Sequence, residues 1–279
     1  MPVDHNKLIE EAPNREPSAG DLAFSLLAIK EYGNMQRYFI ETTIEEARIS
    51  GEDARHIERV MRMKEGDKIV VVAQNTAHIC EIIAFDADEV HVQTTGELIP
   101  SPELPVHVTV ACGLPKGDKL ELITQKATEL GMFALMPFEA ERSIVKWDKK
   151  KGAKKQERLQ KIAKEAAEQS HRTHIPEIYE PISFKQLLEQ VGHFDAVFIA
   201  DEEDAKAQQR TRFAEKLKKV YDKKSKSVLM IFGPEGGIAR KEADALLQAG
   251  AQTMSLGPRI LRAETAPLYA LSAISYEFE

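Results

Sequence analysis

The sequence predicts an α/β protein in which a small β-rich domain precedes a larger domain built on a parallel sheet. Short strand patterns separated by turn residues fill the chain from 35 to 104, whereas strand and helix patterns alternate from Val106 onward. Between them lie Pro100, Pro102 and Pro105, which favour an extended linker because proline fixes φ and biases the preceding residue away from helix. We therefore predict two domains, at 35–104 and 105–279.

The first 34 residues differ in pattern from the rest of the chain. Pro13, Pro17 and Gly20 interrupt any periodicity, and Met35 opens a segment that is typical of the start of a folded chain. We expect residues 1–34 to be a disordered or misassigned upstream extension, with a functional arm as the alternative.

The segment after Met35 has the pattern of a compact β-barrel. Turn residues at Lys64–Asp67 and Asp86–Asp88 separate its apolar stretches. The predicted elements are strands at Arg37–Glu41, Lys68–Ala73, His78–Phe85 and Glu89–Glu97 and a helix at Ser50–Met61.

Beyond the linker, strands that are apolar throughout alternate with helices, which is typical of a parallel sheet covered on both faces. The predicted strands are Val106–Gly113, Ala134–Pro137, Ala196–Ala200, Ser227–Phe232 and Thr253–Leu256. The predicted helices are Lys119–Leu130, Gly152–Gln169, Phe184–Val191, Arg210–Tyr221, Arg240–Ala249 and Glu264–Phe278.

Composition argues against several classes of protein. The two cysteines, Cys80 and Cys112, have no CxxC spacing, so neither a disulfide framework nor a zinc cluster is indicated. No apolar run reaches the roughly 20 residues of a membrane span, and Asp4, Glu10 and Glu11 stand where a secretory signal would be basic. A net charge of −7 argues against indiscriminate nucleic-acid binding. We expect a cytoplasmic protein without a metal site.

The most specific motifs are two loops that follow predicted strands. One is Gly233-Pro234-Glu235-Gly236-Gly237, and the other begins at Gly257-Pro258 and is rich in Arg and Glu. Glycine allows positive φ and close approach of the backbone to a ligand, and ligands of α/β sheets lie at the carboxyl ends of strands. Two such loops at neighbouring strand ends predict a ligand site, with tight turns chosen for packing as the alternative. Neither loop has the spacing of a Rossmann or Walker motif.

Several sequence blocks, taken together with these loops, resemble a known family. The blocks are Arg37-Tyr38-Phe39, His56–Arg62 with Gly66-Asp67, Lys116–Gly131, Arg142-Ser143, Glu165–Arg172, Phe232–Gly237 and Leu256–Ala266. Residues 35–279 thereby resemble the SPOUT methyltransferases with a C-terminal trefoil knot, and specifically the bacterial 16S ribosomal RNA uridine-N3 methyltransferase family. The resemblance implies a PUA-like RNA-contacting domain, a knotted parallel-sheet domain and S-adenosylmethionine as methyl donor. It also implies a twofold homodimer that uses the helix at 264–278, with 16S ribosomal RNA as substrate.

The resemblance assigns residues to the cofactor pocket and the substrate. The cofactor residues are Phe232, Gly233, Pro234, Glu235, Gly236, Gly237, Leu256, Gly257, Ile260, Leu261, Thr265 and Ala266. Arg262 and Glu264 are placed toward the substrate. Because uridine N3 carries a proton at neutral pH and a guanidinium cannot remove it, we expect Arg262 or Arg259 to stabilise the uracil oxygens and Glu264 or water to accept the proton. The alternative for Glu264 is a carboxylate that the helix dipole favours.

Basic residues predict where RNA binds. From Arg142 to Lys164, ten basic residues accompany two acidic ones, a net of +8 that fits phosphate contacts; a solvated helix face is the alternative. Trp147 within this run either stacks on a base or anchors the loop, and we favour anchoring. A second basic stripe is predicted from the helical spacing of Arg55, His56, Arg59 and Arg62. The expected RNA contacts are Arg37, His56, Arg59, Arg62, Arg142 and Arg172.

Other interpretations stay open from the sequence. A SPOUT enzyme could act on transfer RNA or on a ribose 2′-hydroxyl, and a noncatalytic RNA-binding assembly factor could retain the same fold. The missing GxGxxG motif argues against a nucleotide-binding oxidoreductase. The turn Lys116–Lys119 is typical connector chemistry, although the resemblance places it near the site.

Overall fold

The structure is a computed structural model that describes residues 34–147, 149–201 and 212–279. The predicted extension at 1–34 therefore lies outside the described residues except for Asn34, as does the start of the helix predicted at Arg210–Tyr221. The described residues form two compact units. The smaller unit contains residues up to Glu103 together with Ala167–His174, and the larger contains Leu104–Ala166 and Ile175–Glu279.

The smaller unit is built around a five-stranded sheet. Its strands are β1 (Arg37–Ile40), β2 (Arg48–Ser50), β3 (Lys68–Ala73), β4 (Thr76–Asp86) and β5 (Glu89–Ile99). Their order is β1-β3-β4-β5-β2, with β1 parallel to β3 and every other pair antiparallel. The strand β2 was not predicted, since three residues are too few to give a periodic pattern.

Strand β3 explains the packing of this unit. Its side chains Ile69 and Val71 join one apolar cluster, while Val70 and Val72 join another on the opposite face of the sheet. Burial on both faces accounts for the continuous apolar run in the sequence. The β3–β4 hairpin turns through Gln74 and Asn75, both at positive φ, as the common two-residue hairpin requires.

The helix predicted at Ser50–Met61 is shorter and less regular than expected. Helix α1 spans Gly51–Arg55 and continues as a π-helical turn over His56–Val60, and Arg62 lies beyond it at φ 53°. The predicted basic stripe on one helix face is therefore wrong: the wider turn changes the angular spacing, and Arg62 is outside the helix.

The larger unit is a parallel sheet with helices on both faces. Its strands are β6 (His107–Gly113), β7 (Ala134–Glu139), β8 (Glu177–Ile178), β9 (Ile182–Ser183), β10 (Ala196–Ala200), β11 (Ser227–Phe232) and β12 (Gln252–Met254). The order is β12-β10-β11-β6-β7-β8, and β9 also pairs with β7. Its helices are α2 (Lys119–Glu129), α3 (Lys149–Gln169, whose last three residues belong to the smaller unit), α4 (Phe184–Gln190), α5 (Phe213–Asp222), α6 (Arg240–Gln248) and α7 (Thr265–Phe278).

Alternating side chains of β11 point into two separate cores. Val228, Met230 and Phe232 pack with residues of α2, α3, α5 and α7, whereas Leu229 and Ile231 pack with residues of α4 and α6. The predicted α/β class, with a parallel sheet and a separate β-rich N-terminal domain, is confirmed. The trefoil knot stays a prediction. In the part of the chain that the structure describes, no helix has both the length and the hydropathy to cross a membrane.

Candidate functional site

The two predicted loops lie at the same edge of the parallel sheet. We call Gly233–Gly237, after β11, loop A, and Gly257–Glu264, after β12, loop B. The two strands do not pair with each other, because β10 lies between them and pairs with both. The expectation of neighbouring strands is wrong in this respect, yet both loops follow carboxyl ends of parallel strands, where ligands of such sheets bind.

Loop A is a tight turn that requires glycine. The amide of Gly237 donates to the Pro234 carbonyl at 2.8 Å, and Gly237 has φ +69°. A Cβ atom on Gly233 would lie 2.6 Å from the Gly237 carbonyl carbon, which is closer than real contacts allow. A Cβ atom on Gly113, at the end of β6, would lie 2.5 Å from Pro234 Cδ. Backbone therefore packs directly against backbone here.

Arg142 lies against loop A. Its Nη1 atom donates a hydrogen bond to the Gly236 carbonyl at 2.9 Å, and a Cβ atom on Gly236 would lie 3.1 Å from Arg142 Cβ. The residue is exposed, so a contact with RNA stays a prediction. Its observed role is to hold the glycine turn.

Loop B leads into helix α7. Gly257 adopts φ +98°, and the amides of Thr265 and Ala266 donate to the Arg262 carbonyl at 2.9 and 3.1 Å. Ile260 is 81% exposed, which is unusual for an isoleucine and leaves an apolar side chain open beside the loops.

Glu264 does not cap helix α7. It occupies the N-cap position, but its side chain makes no capping hydrogen bond. Its Oε2 atom is buried and has no hydrogen-bond partner among the described residues. The side chain is 15% exposed, and Lys119 Nζ lies 3.5 Å from Oε2 as an ion pair. The carboxylate is therefore held by the charge of Lys119 and not by the amides of the helix.

Lys119 connects the two loops. Its Nζ atom donates to Glu235 Oε1 of loop A at 2.8 Å and pairs with Glu264 at the end of loop B. The hydrogen bond that Lys119 donates to Glu235 raises the pKa of Lys119, as do the charges of the nearby carboxylates Glu235 and Glu264, although desolvation of the ammonium group acts the other way. Partial burial alone would raise the pKa of Glu235, but the hydrogen bonds and charge of Lys119 bring that pKa below its usual range.

Lys119 is the site residue that sequence reasoning did not select. The sequence alone favours connector chemistry for the turn Lys116–Lys119, although the resemblance places this turn near the site. One signal was present: a lysine at the first position of a helix opposes the helix dipole, which disfavours cations at that end. Anionic partners offset this unfavourable interaction, and the carboxylates of Glu235 in loop A and Glu264 in loop B provide them.

The remaining candidates of loop B are exposed cations. Neither Arg259 nor Arg262 has an ion-pair partner among the described residues, and both side chains face solvent. Arg262 uses its backbone carbonyl to start helix α7, which leaves the guanidinium for other contacts.

Two of the predicted RNA contacts are corrected by the structure. Arg37 and Arg172 are 5% and 4% exposed. Arg37 Nη1 donates to the Arg172 carbonyl at 3.0 Å, and Arg172 Nε donates to both oxygens of Glu103 at 3.0 and 3.2 Å. Desolvation lowers the pKa of Arg37 to about 10. Both guanidinium groups are thus buried and hydrogen-bonded within the smaller unit, which argues against contact with phosphate.

The other candidates of the smaller unit remain accessible in part. His56 is half-buried and its Nδ1 atom shares a hydrogen bond of 2.9 Å with the Tyr38 hydroxyl. Arg59 lies 3.9 Å from Glu58 in an exposed ion pair, and Arg62 is exposed. Their contact with RNA stays a prediction.

Trp147 anchors the basic segment, as favoured from the sequence. Its ring packs against the larger core and carries Lys155 Nζ 4.8 Å from its centroid. Within helix α3, Arg158 pairs with Glu121 at 2.7 Å. Part of the predicted basic surface is therefore neutralised within the chain.

A cleft of about 500 Å³ lies between the end of β7 with the segment that follows it and the first residues of α4 and α6. It includes Ser143, whose buried hydroxyl has no hydrogen-bond partner among the described residues. The cleft is lined by Glu139, Ala140, Glu141, Ser143, Lys146, Phe184, Lys241 and Glu242. Across the described ranges, no cluster of His, Cys, Asp and Glu could hold a metal ion.

Comparison with known proteins gives a consistent result. A family model described as an RNA methyltransferase domain matches residues 102–275, and one described as an RNA methyltransferase PUA domain matches residues 49–95. The ribosomal RNA small subunit methyltransferase E of Bacillus subtilis (strain 168) is 49% identical over 252 residues, 88% of this chain and 98% of that protein.

Solved structures agree with these matches. The ribosomal RNA small subunit methyltransferase E of Neisseria gonorrhoeae, bound to S-adenosyl methionine, superposes with a TM-score of 0.74 at 27% identity, covering 86% of this chain and 97% of that one. A putative methyltransferase of Legionella pneumophila, with bound cofactor SAM, gives a TM-score of 0.74 at 27% identity and covers 87% and 98%. The family resemblance drawn from the sequence is thereby confirmed, and the chain belongs to the RNA methyltransferase family of the ribosomal RNA small subunit methyltransferase E proteins.

Proposed function

We propose that this RNA methyltransferase transfers the methyl group of S-adenosylmethionine to N3 of a uridine in 16S ribosomal RNA. The observation that carries the proposal is the pair of glycine loops at one sheet edge, joined by an ion-paired lysine and flanked by exposed arginines. The names of the relatives support methylation of small-subunit ribosomal RNA, and two of the similar solved structures contain S-adenosylmethionine.

The residues of the two loops fit the cofactor. Loop A supplies a backbone surface without side chains at Gly233, Gly236 and Gly237, and loop B supplies the open apolar side chain of Ile260. We assign the cofactor contacts to Phe232, Gly233, Pro234, Glu235, Gly236, Gly237, Leu256, Gly257, Ile260, Leu261, Thr265 and Ala266. When bound, S-adenosylmethionine supplies an electrophilic methyl group.

The chain's own residues prepare the uridine. We assign removal of the N3 proton to Glu264 or to a water beside it. The Oε2 atom of Glu264 is a buried acceptor without a hydrogen bond in the described residues. As N3 loses that proton, negative charge spreads onto the uracil oxygens. Arg262 or Arg259 stabilises this charge, since a guanidinium stays protonated and donates several hydrogen bonds.

We further propose that the protein is a twofold homodimer through helix α7. The helix buries Ala270, Leu271 and Ile274 in its own unit, while Tyr269 and Tyr276 are 45% and 88% exposed on the remaining surface. Exposed aromatic side chains on a helix that is already packed are typical of subunit contacts. The substrate would be the assembled small ribosomal subunit in the cytoplasm, contacted through Arg142, His56, Arg59 and Arg62.

Methyl transfer from labelled S-adenosylmethionine tests the proposal. Small ribosomal subunits from cells that lack this activity are incubated with the protein, and the product nucleoside is identified by mass spectrometry; large subunits and transfer RNA serve as controls. We expect label in 3-methyluridine of 16S ribosomal RNA. Label confined to transfer RNA or to a ribose would refute the substrate, and a protein that binds the cofactor nowhere would refute the reaction.

A further inference from the structure

Among the described side chains, Lys119 alone forms ion pairs with both glycine loops. It lies 116 positions before Glu235 and 145 before Glu264, so the chain brings these three charges together only by folding. Since β10 separates β11 from β12, the strands themselves do not join the loops. The lysine provides a link that the sheet does not.

The partners of Lys119 are arranged to hold it. Glu235 Oε1 accepts from Lys119 Nζ at 2.8 Å and from the Lys116 amide at 3.0 Å. Lys116 lies two residues before Asp118, the N-cap of α2, so the carboxylate of loop A binds both the turn that precedes the helix and the first helical residue. Loop A is thus fixed to the start of helix α2.

Glu264 is tied to the same ammonium group. Its side chain is mostly buried, and Lys119 Nζ is its ion-pair partner at 3.5 Å. A buried carboxylate without a compensating charge is unfavourable, so loss of the lysine would let loop B move to expose Glu264 to water. The charge of Lys119 at the N-terminus of α2 interacts unfavourably with the helix dipole, and the two carboxylates offset this unfavourable free energy.

We propose that Lys119 is a positioning residue, whose ammonium group holds loop A and loop B in the arrangement that binds the methyl donor. This inference rests on the proposed function. It assigns no chemical step to Lys119, because the residue acts through Glu235 and Glu264.

Hydrogen exchange of the ligand-free full chain tests the link between the loops. The variant Lys119→Met removes the charge and keeps most of the volume, Lys119→Arg keeps the charge, and Lys218→Met removes an exposed lysine that pairs with Asp222 at 2.9 Å on helix α5. In Lys119→Met we expect exchange of the Gly237, Thr265 and Ala266 amides to rise on the order of tenfold. Lys119→Arg should restore it, and Lys218→Met should leave it unchanged.

Calorimetry with S-adenosylmethionine tests the consequence for binding. We expect Lys119→Met to raise the Kd on the order of tenfold, and Lys119→Arg to stay near the unchanged protein. If Lys119→Met fails to fold, Lys119→Gln, which also removes the charge but keeps a hydrogen-bond donor, replaces it in the same assays. Unchanged exchange in either loop, or unchanged affinity, overturns the inference. If the unchanged protein does not bind S-adenosylmethionine, the proposed function falls, and the exchange data still decide whether Lys119 joins the loops.

Discussion

At the scale of single residues, we propose that Arg262 contributes to the chemical step and not to binding of the cofactor. Its carbonyl starts helix α7, while its guanidinium faces solvent without an ion pair among the described residues. A side chain that only braced the loops would be paired within them, as Lys119 and Arg142 are. The exposed guanidinium is instead suited to charge that develops on a substrate.

We expect Arg262→Ala to lower kcat by roughly 10²- to 10³-fold while the Kd for S-adenosylmethionine changes little. Truncation beyond Cβ leaves the carbonyl that accepts from Thr265 and Ala266 in place. Steady-state kinetics with small subunits, together with calorimetry, would measure the two effects. The matched control Arg48→Ala removes an exposed arginine of the smaller unit that pairs with Glu89 at 3.7 Å. Turnover retained by Arg262→Ala would remove the assigned role.

The buried pair Arg172–Glu103 concerns stability and not RNA. Burial by itself would raise the pKa of Glu103, but Arg172 and the Thr173 amide together hold that pKa below its usual range. A carboxylate with a depressed pKa stabilises the fold above its unfolded pKa, and this contribution is lost as pH falls through the folded value.

Arg172→Met should therefore destabilise the protein by roughly 3 kcal/mol at pH 7, because it leaves a buried charge uncompensated. The difference from the unchanged protein should shrink as pH falls below about 4. Urea unfolding followed by circular dichroism at several pH values measures it. Arg48→Met, at an exposed pair, should cost less than about 1 kcal/mol. A pH-independent difference would contradict the electrostatic explanation.

At the scale of elements, the sequence predicts those features that depend on local pattern. The run Ser227–Phe232 is buried throughout, and its predicted bounds match β11 residue for residue. The π-helical turn at His56–Val60 and the short strand β2 have no such pattern, since tertiary packing decides them.

The candidate site was predictable only in part. Both glycine loops were found because glycine and proline mark the turns, whereas the position of β10 between their strands depends on pairing across the whole sheet. The burial of Arg37 and Arg172 could not be read from their charge, because long side chains of this kind are normally exposed. A family resemblance shows which residues correspond to those of the family, but it does not show whether their side chains are buried.

Gly233→Ala tests the close packing of loop A. The added Cβ atom would lie 2.6 Å from the Gly237 carbonyl carbon, so the turn must open. We expect a loss of roughly 1 to 3 kcal/mol of stability and at least tenfold weaker binding of S-adenosylmethionine. Thermal melting and calorimetry measure both. Gly192→Ala is the matched control, since a Cβ atom there meets no atom within 4 Å; equal behaviour of the two variants would argue that loop A tolerates a side chain.

At the scale of the whole molecule, the dimer proposed through helix α7 would cover the exposed aromatic side chains of that helix. Tyr276→Glu places a charge on the most exposed aromatic side chain of the helix, where it would be desolvated by a second subunit. We expect sedimentation analysis to give a dimer for the unchanged protein and a shift toward monomer for Tyr276→Glu. Leu98→Glu, at an apolar residue 57% exposed on β5, is the control. A monomeric unchanged protein would overturn the proposed dimer.

Because the net charge of the chain is −7, RNA binding must depend on local groups of basic side chains. Arg142 is bound to loop A, Lys155 lies over Trp147 and Arg158 pairs with Glu121. Lys146 and Lys154 are exposed, and neither forms an ion pair within the described part of the chain. Both lysines are therefore suited to phosphate contact.

The double variant Lys146→Gln with Lys154→Gln should weaken binding to a 16S ribosomal RNA fragment. It should also reduce the slope of log Kd against log salt by about two, because each of the two lysines is expected to neutralise one phosphate. Lys218→Gln with Lys219→Gln, on α5, removes the same charge elsewhere and should leave the slope nearly unchanged. Filter binding between roughly 50 and 200 mM salt covers the range in which such interactions change affinity most. Equal slopes for the two double variants would mean that net charge, and not this surface, governs the affinity. The slope counts the phosphates that the protein neutralises, so only the loss of lysines that contact phosphate should lower it.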